Sequence, residues 1–432
     1  MPQGARIYNL FPLLAGTVSA WEKHLDRIAG MGFNWIFLNP FHYPGLSGSL
    51  YAVKDYYALN PLFADSAKDG PDETIGGFVE AAGARGISVM MDLVVNHTAK
   101  DSLVAQQHPE WFIREPDGSL ASPYAVDPTD TSKRTVWADL AEIDYRDRPE
   151  RAAIVAYFAG VVRHYVRLGF RGFRCDAAYK VPKEVWRALI AAGQRERDDV
   201  SFVAENLGSL LEQTLALRGA GFDYLFNSAK WWDFRQNWLL DQYEQFRSIA
   251  PSISFPETHD TDRLINDLMA DGVTERGAIE RRYKDAYLFS AVFSTGVMIP
   301  IGYEYGFRKK LHVVETRPKD WEKPAFDLTR YIGEVNRMKA SLPVLNEEGP
   351  QRAVPLGDGR MVGLLRRAMR GPAWTLTLVN GDRSSPVTAR IEWPDVDVFQ
   401  LGREVTPGHT GRPWSGPEVA LEPGEVRVYA GR

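Results

Sequence analysis

Cysteine is almost missing from this chain: Cys175 is the only one in 432 residues. An intrachain disulfide is therefore excluded, and a thiolate metal cage is not expected. An excess of positive charge is also missing. The 51 Lys and Arg stand against 56 Asp and Glu, a net charge of −5, so neither nucleic acid nor an anionic membrane surface is an expected partner. No apolar run is long enough to span a bilayer. The opening residues carry no secretory pattern, because Asn9 and Pro12 break the apolar stretch from Ile7 to Ala15. A cytoplasmic protein is the expectation. Internal repeats and low-complexity linkers are absent, and nothing in the sequence sets an oligomeric state. Aromatics, by contrast, are abundant: 12 Trp, 18 Tyr and 21 Phe, which serve a core but also suit the stacking of sugar rings.

Through about residue 340, apolar strand-like runs alternate with amphipathic helix-like segments. The pattern predicts strands over Ala5–Phe11, Trp35–Leu38, Ile87–Val95, Gly172–Asp176, Ser201–Glu205, Phe222–Asn227, Ile253–Glu257 and Val297–Ile301. It predicts helices over Val18–Met31, Thr74–Arg85, Arg148–Leu168, Lys183–Glu196, Glu280–Thr295 and Asp327–Ala340. Eight such alternations favour an α/β fold with a closed parallel (β/α)8 barrel over an open sheet. The connection after the third strand is abnormally long and reads as a short excursion domain. After about Pro343 the period changes to two, with turns of Gly, Pro and Asp, which predicts a separate antiparallel β domain. Its expected strands are Met361–Arg366, Trp374–Asn380, Val387–Trp393 and Glu425–Ala430. The expected division is a catalytic barrel over 1–97 and 148–343, an excursion over 98–147 and a C-terminal β domain over 344–432.

Four of the predicted strands end at or near an acid: Asp92, Asp176, Glu205 and Asp260. A buried strand carries a charge only where the charge has a partner or a task. A lone strand-end Asp is commonly a cap or loop anchor. Four in order place acids together at the C-terminal mouth of a barrel, where such folds keep their chemistry. Cleavage of a glycosidic bond with retention needs two carboxyl groups of opposite habit, about 5–5.5 Å apart. Arg174 lies two residues before Asp176 and shares its strand face, giving that carboxylate the fixed cation a nucleophile needs. Glu205 closes the apolar strand Phe202-Val203-Ala204, where desolvation raises a carboxyl pKa as a general acid requires. His97 after Asn96, and His259 before Asp260, stand ready to bond sugar hydroxyls.

These segments resemble the four signature regions of the α-amylase family, glycoside hydrolase family 13. Asp92, Asn96 and His97 match the first region, Arg174 and Asp176 the second, Glu205 the third, His259 and Asp260 the fourth. The resemblance implies Asp176 as nucleophile, Glu205 as general acid/base and Asp260 as stabiliser of the distorted sugar. It implies Tyr51, His97, Arg174 and His259 as substrate-binding residues, with Asp92 and Asn96 in structural support. Tyr51 matches the family's Tyr that stacks on the reacting sugar. The expected function is hydrolysis of α-1,4-linked glucan or maltooligosaccharide through a covalent glycosyl-enzyme. The alternative is an α-glucan transglycosidase, a maltosyltransferase or 4-α-glucanotransferase, and a remoter one is an inactive glycan-binding relative.

The chain also departs from the family. Many members follow the nucleophile with Lys-His, whose His carbonyl helps to hold calcium; here those positions are Tyr179 and Lys180. No cofactor is expected to be required, although Asn96, Asp139 and Asp144 remain as oxygens that could serve Ca2+. Thr258 stands where many members have Asn, and Gly302-Tyr303-Glu304 with Arg308-Lys309-Lys310 resembles the maltosyltransferase branch. Trp111, Trp231, Trp232 and Trp238 are candidate outer sugar platforms, with core packing as the commoner use. Lys54 and Lys180 are candidate phosphate or hydroxyl ligands, and Asn39 and His42 candidate residues of the mouth.

Overall fold

The computed structural model describes residues 4–66, 70–126, 130, 132–392, 402–409, 411–414 and 416–432. Eight short parallel strands close into a barrel. They are β1 (Arg6–Asn9), β2 (Trp35–Leu38), β3 (Ser88–Leu93), β4 (Gly172–Cys175), β5 (Ser201–Ala204), β6 (Tyr224–Phe226), β7 (Ser252–Ser254) and β8 (Gly296–Pro300). Each pairs with its neighbours in chain order, and β8 returns to β1. The strands are nearly continuous apolar runs because both of their faces are buried. Ile7, Phe37, Met90, Val203, Ile253 and Met298 fill the barrel interior. The outer faces join a second, larger core beneath the surrounding helices.

Five longer helices cover the barrel: α1 (Pro71–Gly83), α2 (Glu150–Arg167), α3 (Lys183–Glu196), α4 (Arg276–Phe293) and α5 (Thr329–Ser341). Local chemistry explains where two expectations shift. The helix expected over Val18–Met31 is two, Val18–Glu22 and Leu25–Gly30. Between them Lys23 and His24 donate to carbonyls only three residues back, at 3.2 and 3.0 Å, a tighter turn than the α-helix allows. Helix α4 starts at Arg276 rather than Glu280, because the Glu275 carboxylate accepts from the Gly277 and Ala278 N–H groups at 2.8 and 2.6 Å.

The segment between β3 and α2 holds a short helix, Leu103–Gln107, and two small antiparallel ladders. One pairs His97–Ala99 with Leu140–Glu142 and so ties the far end of the segment to the barrel rim. A second rim element, the hairpin of His42–Pro44 with Val53–Leu59, carries Tyr51 just before its second strand. Its irregular register hid it from the period-two reading.

At the C-terminus a five-stranded antiparallel sheet contains Met361–Arg367, Trp374–Asn380 and Val426–Gly431. A ladder of Val387–Arg390 with Glu418–Leu421 packs beside it over Leu376, Leu378 and Val419. Trp393, the expected end of one strand, lies outside the described residues. This region is anchored beneath the barrel by buried polar groups. Arg366 donates to the Phe293 carbonyl at 3.0 Å, and Glu348 accepts from Ser252 Oγ at 2.6 Å. Lys339 donates to the carbonyls of Ala291, Ser294 and Leu345, so its buried ammonium is fully bonded.

Candidate active site

Strand register builds the centre of the site. Arg174 on β4 pairs with Asp92 on β3, so the arginine and the first acid are direct neighbours across the ladder. Arg174 Nη1 lies 2.9 and 3.0 Å from the two Asp92 oxygens and 2.6 Å from Asp176 Oδ1. Both ladders run one residue past the strand ends. Asp176 N–H donates to the Leu93 carbonyl at 3.1 Å, and Glu205 N–H donates to the Cys175 carbonyl at 3.0 Å. Asp176 and Glu205 therefore leave adjacent strands at one level. Glu205 Oε2 comes to 4.0 Å from Arg174 Nη2, so one guanidinium faces three carboxyl groups. Burial opposes charge on Arg174, and its acidic neighbours hold it firmly protonated.

The carboxyls differ in environment. Burial pushes Glu205 up to about 7, and the Asp176 charge adds to the rise against the opposing pull of Arg174. Glu205 is also fixed in place, accepting from the Ala177 N–H at 3.0 Å and the Leu207 N–H at 2.6 Å. Burial raises Asp92 to about 7 as well, despite its bonds to Arg174 and Tyr51. Asp260 is open to the cleft, with 64% of its side chain exposed. Crowding in the cleft disfavours its anion, but His259, together with Arg174 and Lys310, outweighs this and holds it at about 2.

Tyr51 and His259 close a second network. The Tyr51 hydroxyl lies 2.7 Å from Asp92 Oδ2, 2.8 Å from His259 Nε2 and 3.0 Å from Asn39 Nδ2. With Asp92 ionised, the hydroxyl gives it its only proton, so His259 Nε2 carries a hydrogen toward Tyr51 and toward Asp260 Oδ2 at 3.1 Å. His259 Nδ1 is buried without a hydrogen-bond partner among the described residues. The two rings stack at 6.0 Å and 7°. His97 is buried on the cleft wall, and burial lowers its pKa, leaving a neutral ring that suits a hydroxyl ligand. Asn96 lies beside it, with Nδ2 3.4 Å from His97 Nδ1.

The structure thus gathers Tyr51, Asp92, His97, Arg174, Asp176, Glu205, His259 and Asp260 around one cleft of about 960 Å3. Asn39 and Lys180, both candidates from the sequence, reach the site, whereas Ala177 and Trp137 had no sequence signal. Asn39 bonds Tyr51 and is bonded in turn by Asn9 at 2.7 Å. Ala177 adopts φ 43, a left-handed conformation costly for any residue with a Cβ, and in doing so turns its N–H onto Glu205. Lys180 and Trp137 line the cleft. Lys180 donates to the Tyr124 carbonyl and lies 5.2 Å over the Tyr124 ring, and burial lowers its pKa.

Other candidates are used elsewhere. His42 does not line the mouth: it is 1% exposed and stacked on Phe41 at 4.7 Å. Lys54 pairs with Asp101 at 2.9 Å. Trp111 and Trp232 are buried. Of the oxygens considered for calcium, those of Asp144 are committed to other partners. Asp144 is buried, and its carboxylate is already taken by Arg146 at 2.6 Å and Arg148 at 2.7 Å. Those two cations supply the charge that a divalent ion would bring.

Comparison with known proteins places this geometry in context. Residues 3–114 match the model of the glucanotransferase domain of glycogen debranching enzyme. Among curated proteins, the α-1,4-glucan:maltose-1-phosphate maltosyltransferase of Burkholderia pseudomallei is 25% identical over 86% of this chain and 32% of its own length. That of Myxococcus xanthus is 25% identical over 96% of this chain and 65% of its own length. The chain therefore spans 32% to 65% of the length of these relatives. Among solved structures, an α-amylase of Geobacillus thermoleovorans complexed with acarbose aligns with a TM-score of 0.76 at 18% identity, over 100% of this chain and 98% of that one. A maltogenic α-amylase of Thermotoga neapolitana gives 0.74 at 20% identity, over 99% and 98%. At such identities the two structures attest the fold alone.

Proposed function

We propose that this chain, a member of the α-amylase family (glycoside hydrolase family 13) near its maltosyltransferase branch, transfers an α-linked glucosyl or maltosyl unit to an α-1,4-glucan. One observation carries the chemistry: Asp176 is held by Arg174 at 2.6 Å while Glu205, on the next strand, is raised to about 7. The pair has the unlike habits that retention requires. Asp176 attacks the anomeric carbon, the bond to the leaving oxygen breaks, and Glu205 gives that oxygen its proton. A glycosyl ester forms on Asp176. Glu205, now ionised, takes the proton of an acceptor hydroxyl, which attacks the ester carbon and restores the original configuration. Tyr51, His97, His259 and Asp260 hold the hydroxyls of the ring being transferred, while Asp92 and Asn96 hold the residues that do so.

Transfer is favoured over hydrolysis because the aligned curated relatives are named for maltosyl transfer from maltose 1-phosphate. Hydrolysis is the second reading, and the exposure of Asp260 favours it, since water reaches the same cleft. The proposal includes no metal and a cytoplasmic setting. The test is chromatography of products from maltoheptaose with and without maltose 1-phosphate. Transfer predicts phosphate release and lengthened glucans. Shortened oligosaccharides alone would replace it with hydrolysis, and no product under either condition would leave only a glycan-binding protein.

A further inference from the structure

The structure separates one tryptophan from the others. Trp231 is 51% exposed and lines the cleft with Asp176, Glu205 and Asp260. It ends the short turn Ala229–Trp231 that follows β6. Its ring is braced edge-on by Phe255 at 5.8 Å and 86°. Phe255 is fully buried and packs in turn on Phe226 at 5.9 Å. A large indole left in water on a rigid apolar backing is what a stacked ligand would cover, and the apolar face of a pyranose fits it.

The space beyond this ring has a definite character. Trp231, Asp260 and Thr261 are shared between the cleft and a second hollow of about 470 Å3. The charges of that hollow are largely spent on one another. Lys230 lies 2.7 Å from Asp267, and Arg383 lies 3.2 Å from Asp271. Its four acids outnumber its three bases. Such a lining, with its charges largely paired, suits a neutral polyhydroxylated chain. The side of the cleft also follows from strand order. Tyr51, Asp92 and Arg174 belong to the β2–β4 side, Glu205 ends β5, and Trp231 follows β6. The general acid faces the leaving oxygen, so the unit beyond the broken bond lies past Glu205, away from Tyr51.

We propose that Trp231 is the stacking platform for the glucosyl unit on the acceptor side of the cleft, and that the hollow beyond it carries the rest of the acceptor glucan. This rests on the α-glucan reading above. The experiment is calorimetric titration of the whole chain bearing Glu205→Gln with maltoheptaose, alone and combined with Trp231→Ala or Trp231→Phe. Loss of the indole is expected to weaken binding roughly tenfold, with Phe restoring most of it. In the enzyme with Glu205 intact, Trp231→Ala should raise KM for long acceptors more than for short ones. Equal affinity in the Trp231→Ala and parent proteins would overturn the platform while leaving the α-glucan reading in place. Absence of any maltoheptaose binding by the parent would overturn both. Trp231 is half exposed, so an unchanged melting temperature should accompany the substitution and separate lost binding from lost folding.

Discussion

At the scale of single residues, the site depends on environment more than on composition. Asp176 and Glu205 are both acids at strand ends, yet one lies 2.6 Å from the Arg174 guanidinium and the other sits under burial with that guanidinium no nearer than 4.0 Å. If Glu205 is the proton donor, its elevated pKa sets the upper edge of the rate profile. Activity should fall as pH rises through about 7, since the acid form is lost there. Glu205→Gln should cost at least a hundredfold in kcat with natural leaving groups and remove that limb. A profile that keeps the limb in the Gln variant would assign it to another group. Tyr51 permits a finer dissection. Tyr51→Phe keeps the ring stacked on His259 but leaves Asp92, His259 and Asn39 each one hydrogen bond short. It should cost about tenfold in kcat/KM, and Tyr51→Ala, which loses the ring as well, about tenfold more. Equal effects of the two variants would mean that the hydroxyl, not the ring, matters.

At the scale of elements, the sequence was legible where the period was unbroken. Helix α3 falls on Lys183–Glu196, and β2 on Trp35–Leu38, as their patterns indicate. Acids at the ends of β3, β4 and β5 were legible because a charge in an apolar run stands out. Their pairing was not, since register arises between strands: the Arg174–Asp92 neighbourhood comes from the β3–β4 alignment, not from either segment alone. The left-handed Ala177 was invisible for a related reason, because it acts through a contact made only after folding. The excursion illustrates a third kind. Its acids read as calcium oxygens, but Asp144 is already neutralised within five residues of chain. Chelation by EDTA should therefore leave activity and Tm unchanged. Asp144→Ala should instead destabilise by about 2 kcal/mol, a figure lowered by the exposed end of Arg146, and a thermal melt would detect it. A sharp fall in Tm on EDTA treatment would reverse this assignment.

At the scale of the whole molecule, three carboxyls among the described residues are raised to about 7: Asp92 and Glu205 in the cleft, and Asp285 where α4 meets the C-terminal sheet. Asp285 accepts from the Val426 N–H at 3.2 Å, and burial is the main cause of its rise, opposed by that bond and by Arg282. The sign of its effect on stability follows. An unfolded Asp loses its proton near 3.8, whereas the folded one keeps it to about 7. Between those values the folded state binds more protons, so stability falls as pH rises across the window and is level above it. The cleft acids add slopes of the same sign, and in their case the raised pKa serves the proton transfer. Nothing in the chemistry requires it at Asp285. Asp285→Asn keeps an acceptor for the Val426 N–H and removes the titration. Its Tm should therefore vary less between pH 5 and pH 8 than that of the parent, and should exceed the parent's at pH 8, with activity preserved. Glu205→Gln should flatten the same profile independently, because the two groups share no partner, and the double variant should show the sum. Parallel Tm profiles for Asp285→Asn and the parent would show that Asp285 is ionised in the folded protein and that the junction tolerates its charge.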